Sequence, residues 1–266
     1  MIKTIFAFSD IHLRPLTRHV EYQEQFNKII LEIERIKPDR VVIAGDIFHA
    51  KITITNELSQ MISKLFKGII KYSKLIIIPG NHDAIIDSPR LDSISPIIEM
   101  LDKEEIVYYK NSGVYIDKWD KSFAWAVWSC LEGQASPEIK EFKCLNKDIH
   151  QYIGLFHGVI NGSTTDLGFT FTEEGVDVAE FYETDIFIAG DIHKHQTYNY
   201  KNYKDTGFGI MCGSAIQNEF GEQPENHGYV LLTYKNGKWD FKLNEIPTDY
   251  GYYTIFINSV EEIENL

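Results

Sequence analysis

The sequence predicts an α/β protein, and two patterns carry that prediction. Short runs of β-branched and apolar residues recur along the chain, and most of them end in Asp, His or Asn. Segments with apolar residues at helical spacing separate the first of these runs. Strands that alternate with amphipathic helices are typical of a parallel sheet, and such a sheet usually presents its site at the carboxyl ends of its strands.

The first eighty residues alternate strand and helix. The apolar runs are residues 5–8, 41–44 and 75–78. Apolar residues from Phe26 to Ile36 recur at helical spacing, and Pro38 ends that helix. A second amphipathic segment follows, and we predict that Asn56 caps it. This βαβαβ order predicts parallel strand pairing.

From about residue 105 the pattern becomes rich in strands. Helical stretches are expected only around residues 137–150 and 173–182. Residues 228–246 read as a β-hairpin, because Asn236-Gly237 is a turn dipeptide between two alternating segments.

Composition excludes several classes of protein. The chain has 266 residues and a net charge of −13, which argues against binding nucleic acid through bulk electrostatics. No apolar stretch approaches the roughly 20 residues of a membrane span, and we expect no membrane association. The cysteines Cys130, Cys144 and Cys212 are odd in number and widely spaced, which indicates reduced thiols in a cytoplasmic protein.

One domain boundary is predicted near the carboxyl end. Residues 1–247 form the main domain. After Pro247 we expect a new strand at 252–257 and an amphipathic helix from Ser259. Residues 248–266 are either a segment that docks on the main body or the start of a capping domain.

Five segments place possible metal ligands directly after predicted strands. Those residues are Asp10 and His12, Asp46, Asn81, His157, and Asp191 with His193. On a regular strand, Asp10 and His12 would face the same side, and Asp191 and His193 would repeat that geometry. Carboxylate and imidazole groups together suit manganese, iron or zinc, and one carboxylate can bridge two cations.

The tetrapeptide Gly80-Asn81-His82-Asp83 is the most specific of these segments. The amide oxygen of Asn81 can bind a metal and does not titrate. His82 can donate a proton to a leaving alkoxide, and we predict that Asp83 holds its imidazole in the right tautomer.

In this order, the segments resemble the signature of the calcineurin-like metallophosphoesterases. The resemblance implies a two-sheet β-sandwich flanked by helices, with two divalent metal ions at strand ends. It makes His82 the catalytic histidine and Asp83 its orienting partner. It gives the first metal the ligands Asp10, His12, Asp46 and His193. It gives the second metal the ligands Asp46, Asn81, His157 and Asp191.

A narrower resemblance is to the SbcD-type nucleases, in compact forms like those that large phages encode. It rests chiefly on residues 213–222, Gly-Ser-Ala-Ile-Gln-Asn-Glu-Phe-Gly-Glu. It implies a manganese-dependent DNA nuclease, a 3′–5′ exonuclease on duplex and an endonuclease on single strands. Its partners would be DNA, an SMC-like ABC ATPase and a second copy of the chain, paired through helices around 19–36 or 84–102. Candidate phosphate contacts are Arg14, Arg18, His49, Lys51, Arg90 and Lys194.

The chain departs from that pattern at two positions. Asp191 stands where the family has the first histidine of its last motif, and the harder carboxylate favours manganese or magnesium. His195 stands where the resemblance suggests proline, and we expect it to face substrate or solvent.

Two other functions are compatible with the same residues. One is a phosphatase or nucleotide phosphodiesterase that acts on small substrates, which the acidic charge favours. The other is an inactive scaffold that recruits an ATPase, which Asp191 would explain if the second metal were lost.

Overall fold

The computed structural model describes residues 2–86, 91–101, 104–131, 136–205 and 207–257. The helices are α1 (His19–Ile36), α2 (Asn56–Ile70), α3 (Ser95–Glu99) and α4 (Ile139–Leu145), and Val178–Phe181 forms a 3₁₀ turn. The strands are β1 (Thr4–Phe8), β2 (Arg40–Ala44), β3 (Lys74–Ile78), β4 (Ile106–Tyr108), β5 (Gly113–Ile116), β6 (Phe123–Trp128), β7 (Gln151–His157), β8 (Ile186–Gly190), β9 (Gln196–Tyr200), β10 (Gly207–Met211), β11 (Gly228–Lys235) and β12 (Lys238–Glu245).

Within these described ranges the strands form two six-stranded sheets, and the predicted sandwich is confirmed. Sheet I has the order β12-β11-β1-β2-β3-β4, and sheet II has the order β5-β6-β7-β8-β10-β9. Strands β1 to β4 of sheet I run parallel, as the βαβαβ pattern predicts for the first three. In sheet II, β6, β7, β8 and β10 are parallel. The parallel strands of both sheets carry the candidate site residues at their carboxyl ends.

Alternation along the strands explains the layering. In β1, Ile5 and Ala7 point into the core between the sheets, whereas Phe6 and Phe8 pack under α1 and α2. Sheet II offers Trp125 to the same inter-sheet core. Its opposite face is covered by α4 and the segment after β7, over a third apolar cluster. Because both sheets are buried on two faces, their central strands read as continuous apolar runs.

A buried ion pair joins the sheets at the edge far from the candidate ligands. Arg40 of β2 donates to both carboxylate oxygens of Asp117, with Nε to Oδ2 at 3.0 Å and Nη2 to Oδ1 at 2.5 Å. The Trp125 indole N–H also donates to Asp117. The carboxylate, which is fully buried, is thus surrounded by donors, as a buried charge requires.

The hairpin is confirmed, because β11 and β12 pair antiparallel across Asn236 and Gly237, which both have positive φ. The helix cap differs from the prediction. The hydroxyl of Thr55, not the side chain of Asn56, accepts the N–H of Leu58, and Asn56 is the first helical residue. The later helices are also shorter than predicted, since the polar stretches beside α4 and the 3₁₀ turn form loops.

The strand predicted at 252–257 is wrong, because this segment forms no ladder in the described part of the chain. The side chain of Gln217 forms hydrogen bonds with the backbone of this segment instead. The Tyr252 N–H donates to Gln217 Oε1 at 2.6 Å, and Gln217 Nε2 donates back to the Tyr252 carbonyl. The helix predicted from Ser259 lies outside the described residues. No described helix combines the length and apolar character that crossing a bilayer requires.

Candidate metal centre

The loops after β1, β2, β3, β7 and β8 meet at the junction of the two sheets. Ligand atoms of Asp10, His12 and His193 lie within 4.8 Å of one another, and those of Asp10, Asp46 and His157 do so as well. Asn81 lies beside them, with Nδ2 donating to Asp191 Oδ1 at 3.3 Å. The structure therefore brings all seven predicted ligands together.

The ligand loops do not continue the strands, contrary to the prediction that alternation along a strand aligns Asp10 with His12. Asp10, His12 and Asp46 have φ values of 52°, 48° and 51°, and Asp191 has 105°. A left-handed residue turns the chain sharply, and Asp is among the residues that tolerate this conformation. Tight turns, not the pleat, aim these side chains. Such strained residues persist where the surroundings fix them and are frequent at functional sites.

Asp46 occupies the middle of the cluster. Its Oδ2 is 3.3 Å from His12 Nε2, and its Oδ1 is 3.4 Å from His157 Nε2. The N–H of His82 donates to Oδ1 at 2.8 Å. One carboxylate thus faces a sheet I histidine with one oxygen and a sheet II histidine with the other. This is the position that a ligand shared by two cations requires.

Two glycines explain how the segments approach so closely. A Cβ at Gly80 would overlap Asp46, and a Cβ at Gly45, where φ is 90°, would overlap the imidazole of His157. Any larger side chain would separate the loops. The glycines in Gly-Asp and Gly-Asn-His-Asp are therefore steric requirements of the centre.

Both sheet II imidazoles are oriented through their Nδ1 atoms. His157 Nδ1 lies 2.7 Å from the carbonyl oxygen of Ala44, which fixes the proton there and leaves Nε2 toward Asp46. His193 Nδ1 lies 2.6 Å from Glu222 Oε1, and its Nε2 is 3.0 Å from His12 Nε2. Orienting hydrogen bonds of this kind commonly support metal-binding histidines.

Buried polar atoms without a hydrogen-bond partner indicate whether these residues suit metal ions, because a bound cation would satisfy them. His157 Nε2 and Asn81 Oδ1 are buried and have no hydrogen-bond partner among the described residues. Two histidine nitrogens that face each other at 3.0 Å also need a shared proton or a shared cation. Oxygen and imidazole donors fit divalent cations such as Mn²⁺. The residues present therefore fit two metal ions.

The pKa shifts of the buried carboxyl and imidazole groups also support binding of metal ions here. Burial raises the pKa of Asp10 to about 6, although His157 and His193 oppose the rise. Burial also raises the pKa of the Asp191 carboxyl. Burial would lower the pKa of His157, but Asp46 and Asp10 outweigh it and raise the pKa well above the usual value. Desolvated carboxylates that cannot ionise freely are stabilised as anions by bound cations.

Asp83 does not orient the imidazole of His82, contrary to the prediction. The Nδ1 of His82 lies 2.8 Å from the carbonyl oxygen of His49. The carboxylate of Asp83 instead accepts the N–H groups of Ile47, Phe48 and Gly80 at 2.9–3.0 Å. The sequence pattern could not show that these amides of two different loops would share one acceptor. Asp83 therefore joins the loops after β2 and β3.

Among the candidate phosphate contacts, His49 and Lys194 lie near the centre. His49 borders the centre, with its ring centroid 5.7 Å from that of His12, and Lys194 lies next to His193. Arg14 donates to the carbonyl oxygen of Asn218 at 3.1 Å. Arg18 is occupied by a bidentate pair with Glu21 at 2.7 Å, which makes it a structural residue. Lys51 is exposed, and Arg90 lies outside the described residues.

Three supporting residues were not assigned a role from the sequence. Glu222 binds the ring of His193, the Ser9 hydroxyl donates to Asp10 Oδ2 at 2.5 Å, and Asn218 Nδ2 donates to the carbonyl oxygen of Asp10. Two of them belong to the 213–222 block, whose resemblance to nuclease sequences was the available signal. His195 is half-buried, with Nδ1 unpartnered, and the backbone of Gly213 packs against it.

Comparison with known proteins decides the family. The sequence profile of the calcineurin-like phosphoesterase family matches residues 3–205, which include all seven candidate ligands. The chain belongs to the calcineurin-like phosphoesterase family. The matched region of this calcineurin-like phosphoesterase carries the clustered candidate metal ligands described above.

Two known proteins are similar to this calcineurin-like phosphoesterase, one in sequence and one in fold. It is 34% identical over 272 residues to uncharacterized protein R555 of Acanthamoeba polyphaga mimivirus. That match covers 99% of this chain and 19% of the viral protein, so the chain spans about a fifth of its relative. A dimetal phosphatase from Danio rerio shares the fold, with a TM-score of 0.55, 10% identity and coverage of 91% of this chain and 95% of the other.

Proposed function

We propose that the protein hydrolyses a small phosphate ester, either a phosphomonoester or a nucleotide phosphodiester. The observation that carries this proposal is a cavity of about 490 Å³ that opens beside Asp191 and His193. Small-molecule sites are concave and typically measure roughly 300–1,000 Å³. The organic part of a small ester could occupy this cavity while its phosphate reaches the candidate ligands.

The net charge of the chain and its similarity in fold to a phosphatase support a small substrate. The chain has 39 acidic residues against 26 Lys and Arg, and its net charge of −13 repels a long polyanion. Arg14, one of the expected phosphate contacts, is held by a backbone carbonyl. The Danio rerio protein of the same fold is described as a phosphatase, which is also a phosphoester hydrolase.

The candidate ligands would hold two divalent cations, for which we propose Mn²⁺ with Mg²⁺ as a substitute. One would take Asp10, His12, Asp46 and His193, and the other would take Asp46, Asn81, His157 and Asp191. Bound cations neutralise phosphate oxygens and bring the pKa of a water close to neutrality.

His82 is the proposed proton donor of the reaction. Its Nδ1 proton is engaged by the His49 carbonyl oxygen, which leaves Nε2 available for proton transfer. Its ring centroid is 4.8 Å from that of His12, so the imidazole lies beside the candidate ligands. A protonated His82 can donate from Nε2 to the leaving oxygen, which then departs as an alcohol.

A DNA nuclease is the second candidate, and the 213–222 block favours it. This block, which resembles that of SbcD-type nucleases, supplies Glu222 to His193 and Asn218 to Asp10. It is therefore part of the centre and not a distant surface feature. In this proposal the substrate is a DNA end, and the partners are an SMC-like ATPase and a second copy of the chain.

One experiment separates the candidates. The purified protein is loaded with Mn²⁺ or Mg²⁺, or treated with a chelator, and given p-nitrophenyl phosphate, bis-p-nitrophenyl phosphate, and labelled duplex and single-stranded DNA. We expect metal-dependent turnover of at least one small ester, with slower cleavage of DNA. Asp46→Asn, which removes the carboxylate between the two halves of the centre, serves as the matched control for a contaminating hydrolase.

The outcomes discriminate sharply. Faster cleavage of DNA than of either small ester, abolished in His82→Asn, would replace the first proposal with the nuclease. A preparation that binds two metals and cleaves neither class would overturn both and favour a scaffold. Cleavage of DNA, whose leaving oxygen needs a proton, at the same rate in the wild type and in His82→Asn would remove His82 from the mechanism.

A further inference from the structure

The cavity beside the metal centre has a wall that the family signature does not include. Residues 163–171 form a hairpin, in which the Phe171 N–H donates to the Ser163 carbonyl and the Thr165 N–H donates to the Phe169 carbonyl, both at 2.9 Å. Leu167 lies at its tip. The hairpin stands opposite Asp191 and His193 across the cavity.

Side-chain contacts fix this hairpin to the segment that carries the candidate ligands. Gln196, three residues after His193, accepts the Thr164 N–H at 2.7 Å and donates to the Thr164 carbonyl at 2.9 Å. The hydroxyls of Ser163 and Tyr198 meet at 2.7 Å. The wall is thus built before a ligand arrives, which lowers the ordering cost of binding.

The wall is apolar, although it is open to solvent. Leu167 is 81% exposed and Phe169 is 54% exposed. The rings of Phe169 and Phe171 meet edge to face, with centroids 4.9 Å apart. Val159 and Ile192 extend the apolar lining. Exposed apolar side chains grouped beside a polar centre are typical of a ligand-binding surface.

The remaining lining residues indicate the chemistry of the ligand. Asp166, Glu219 and Lys194 border the apolar wall. Carboxylates repel a second phosphate but accept hydrogen bonds from amino groups, as they do from the amino group of cytosine. A flat ring that stacks on phenylalanine and carries such donors meets both requirements. We infer that the cavity binds the nucleobase of a nucleotide whose phosphate lies at the metal centre.

This inference rests on the proposed phosphoester chemistry for the position of the phosphate, but binding of the base is measurable without turnover. In the Mn²⁺-loaded His82→Asn protein, dissociation constants are measured by calorimetry for AMP, ribose 5-phosphate and phenyl phosphate. Base stacking on an aromatic side chain is worth about tenfold in affinity. We expect AMP to bind about tenfold more tightly than ribose 5-phosphate.

Two further substitutions in the His82→Asn protein test whether the preference for AMP arises in the cavity. Phe169→Ala and Leu167→Ala should bring the ratio of the ribose 5-phosphate constant to the AMP constant close to one. Leu145→Ala is the matched control, because Leu145 is 78% exposed on α4 and lies outside the cavity lining. It should retain the wild-type ratio.

Each other result has a defined meaning. Equal affinity for AMP and ribose 5-phosphate, or a ratio that survives both cavity variants, would overturn the inference. Phenyl phosphate that binds as tightly as AMP would replace the base with a plain aromatic ring and also overturn it. Failure of the proposed function would instead appear as absent ester hydrolysis by the wild type, with the AMP preference intact.

Discussion

The two sheets contribute differently to the centre where they meet. Sheet I supplies Asp10 and Asp46, which are almost fully buried, and Asp83 ties its loops to one another. Sheet II supplies Asp191 and His193, whose side chains are 16% and 24% exposed. The loops beyond sheet II also form the apolar cavity wall. Asp10 and Asp46 of sheet I, together with the buried His157 of sheet II, therefore form the desolvated part of the centre. Asp191 and His193 form a more exposed part that lines the cavity.

This contrast explains where change is tolerated. A buried carboxylate in sheet I has no solvent to replace a lost partner, so its removal affects the whole centre. The more exposed groups of sheet II can change without collapse, and Asp191 already differs from the family pattern. We expect substitutions of Asp10 or Asp46 to abolish chemistry and substitutions of Asp191 or His193 to tune metal affinity or substrate choice.

The largest effect is expected for Asp46→Asn. Because Asp46 faces both halves of the centre, the variant should bind fewer than two metals, and turnover should fall by on the order of 10⁴-fold, since metal Lewis acidity is worth several kcal/mol. Elemental analysis and steady-state kinetics measure the two quantities. Asp240→Asn, the same change at an exposed position on β12, is the control. Full metal content in Asp46→Asn would contradict the shared-ligand position.

His82→Asn should reduce turnover by about 10²–10⁴-fold for an ester with an alkyl leaving group, because the proton donor is lost. The loss should be smaller for p-nitrophenyl esters, whose leaving group departs without a proton. Metal content should equal that of the wild type. Equal losses for the two leaving groups would show that His82 acts in some way other than as an acid.

Arg40→Met tests the junction of the sheets away from the chemistry. The variant leaves the Asp117 carboxylate buried without its cation, and breaking such a pair costs about 3–5 kcal/mol of unfolding free energy. Urea denaturation measures this change. Turnover per folded molecule should be unchanged. Arg35→Met removes the exposed partner of Glu32 and should leave stability unaltered. A loss of turnover in folded Arg40→Met would show that the sheet junction influences the centre.

Glu222→Gln should produce the smallest effect. Glutamine keeps an oxygen acceptor for His193 Nδ1 but loses the charge, and losing support of this kind weakens metal binding by about 10–100-fold. We expect a value near the lower limit, at the metal that His193 would bind. A metal titration monitored by calorimetry should show one site with weaker affinity and one site with unchanged affinity. Weakening of both sites would mean that Glu222 supports the entire centre.

Much of this site was predictable because ligands directly follow strands in the sequence. The position of Asp46 between two histidines follows from strand ends that meet at one edge. The role of Asp83 could not be predicted from the sequence. A carboxylate that fixes the tautomer of His82 and a carboxylate that binds loop amides would occupy the same position in the tetrapeptide. Left-handed turns at Asp10 and His12 also leave no periodic signal, because they interrupt the strand pattern.

The remaining differences arise from contacts between distant segments. Residues 252–257 are rich in β-formers and predict a strand, but hydrogen bonds from Gln217 hold Tyr252 outside any ladder. The 163–171 hairpin depends on Gln196 from another segment, which a local pattern does not reveal. Local propensity is a weak guide where a side chain from elsewhere satisfies the backbone.

The contacts of Asp10 have a consequence for how the protein becomes active. Its carboxylate accepts the N–H of Asp191, 181 residues later, and its carbonyl accepts Asn218, 208 residues later. Contacts of such separation close long loops of the chain, and proteins rich in them fold slowly. Because these contacts join segments of both sheets, we expect metal uptake to follow assembly of the complete sandwich.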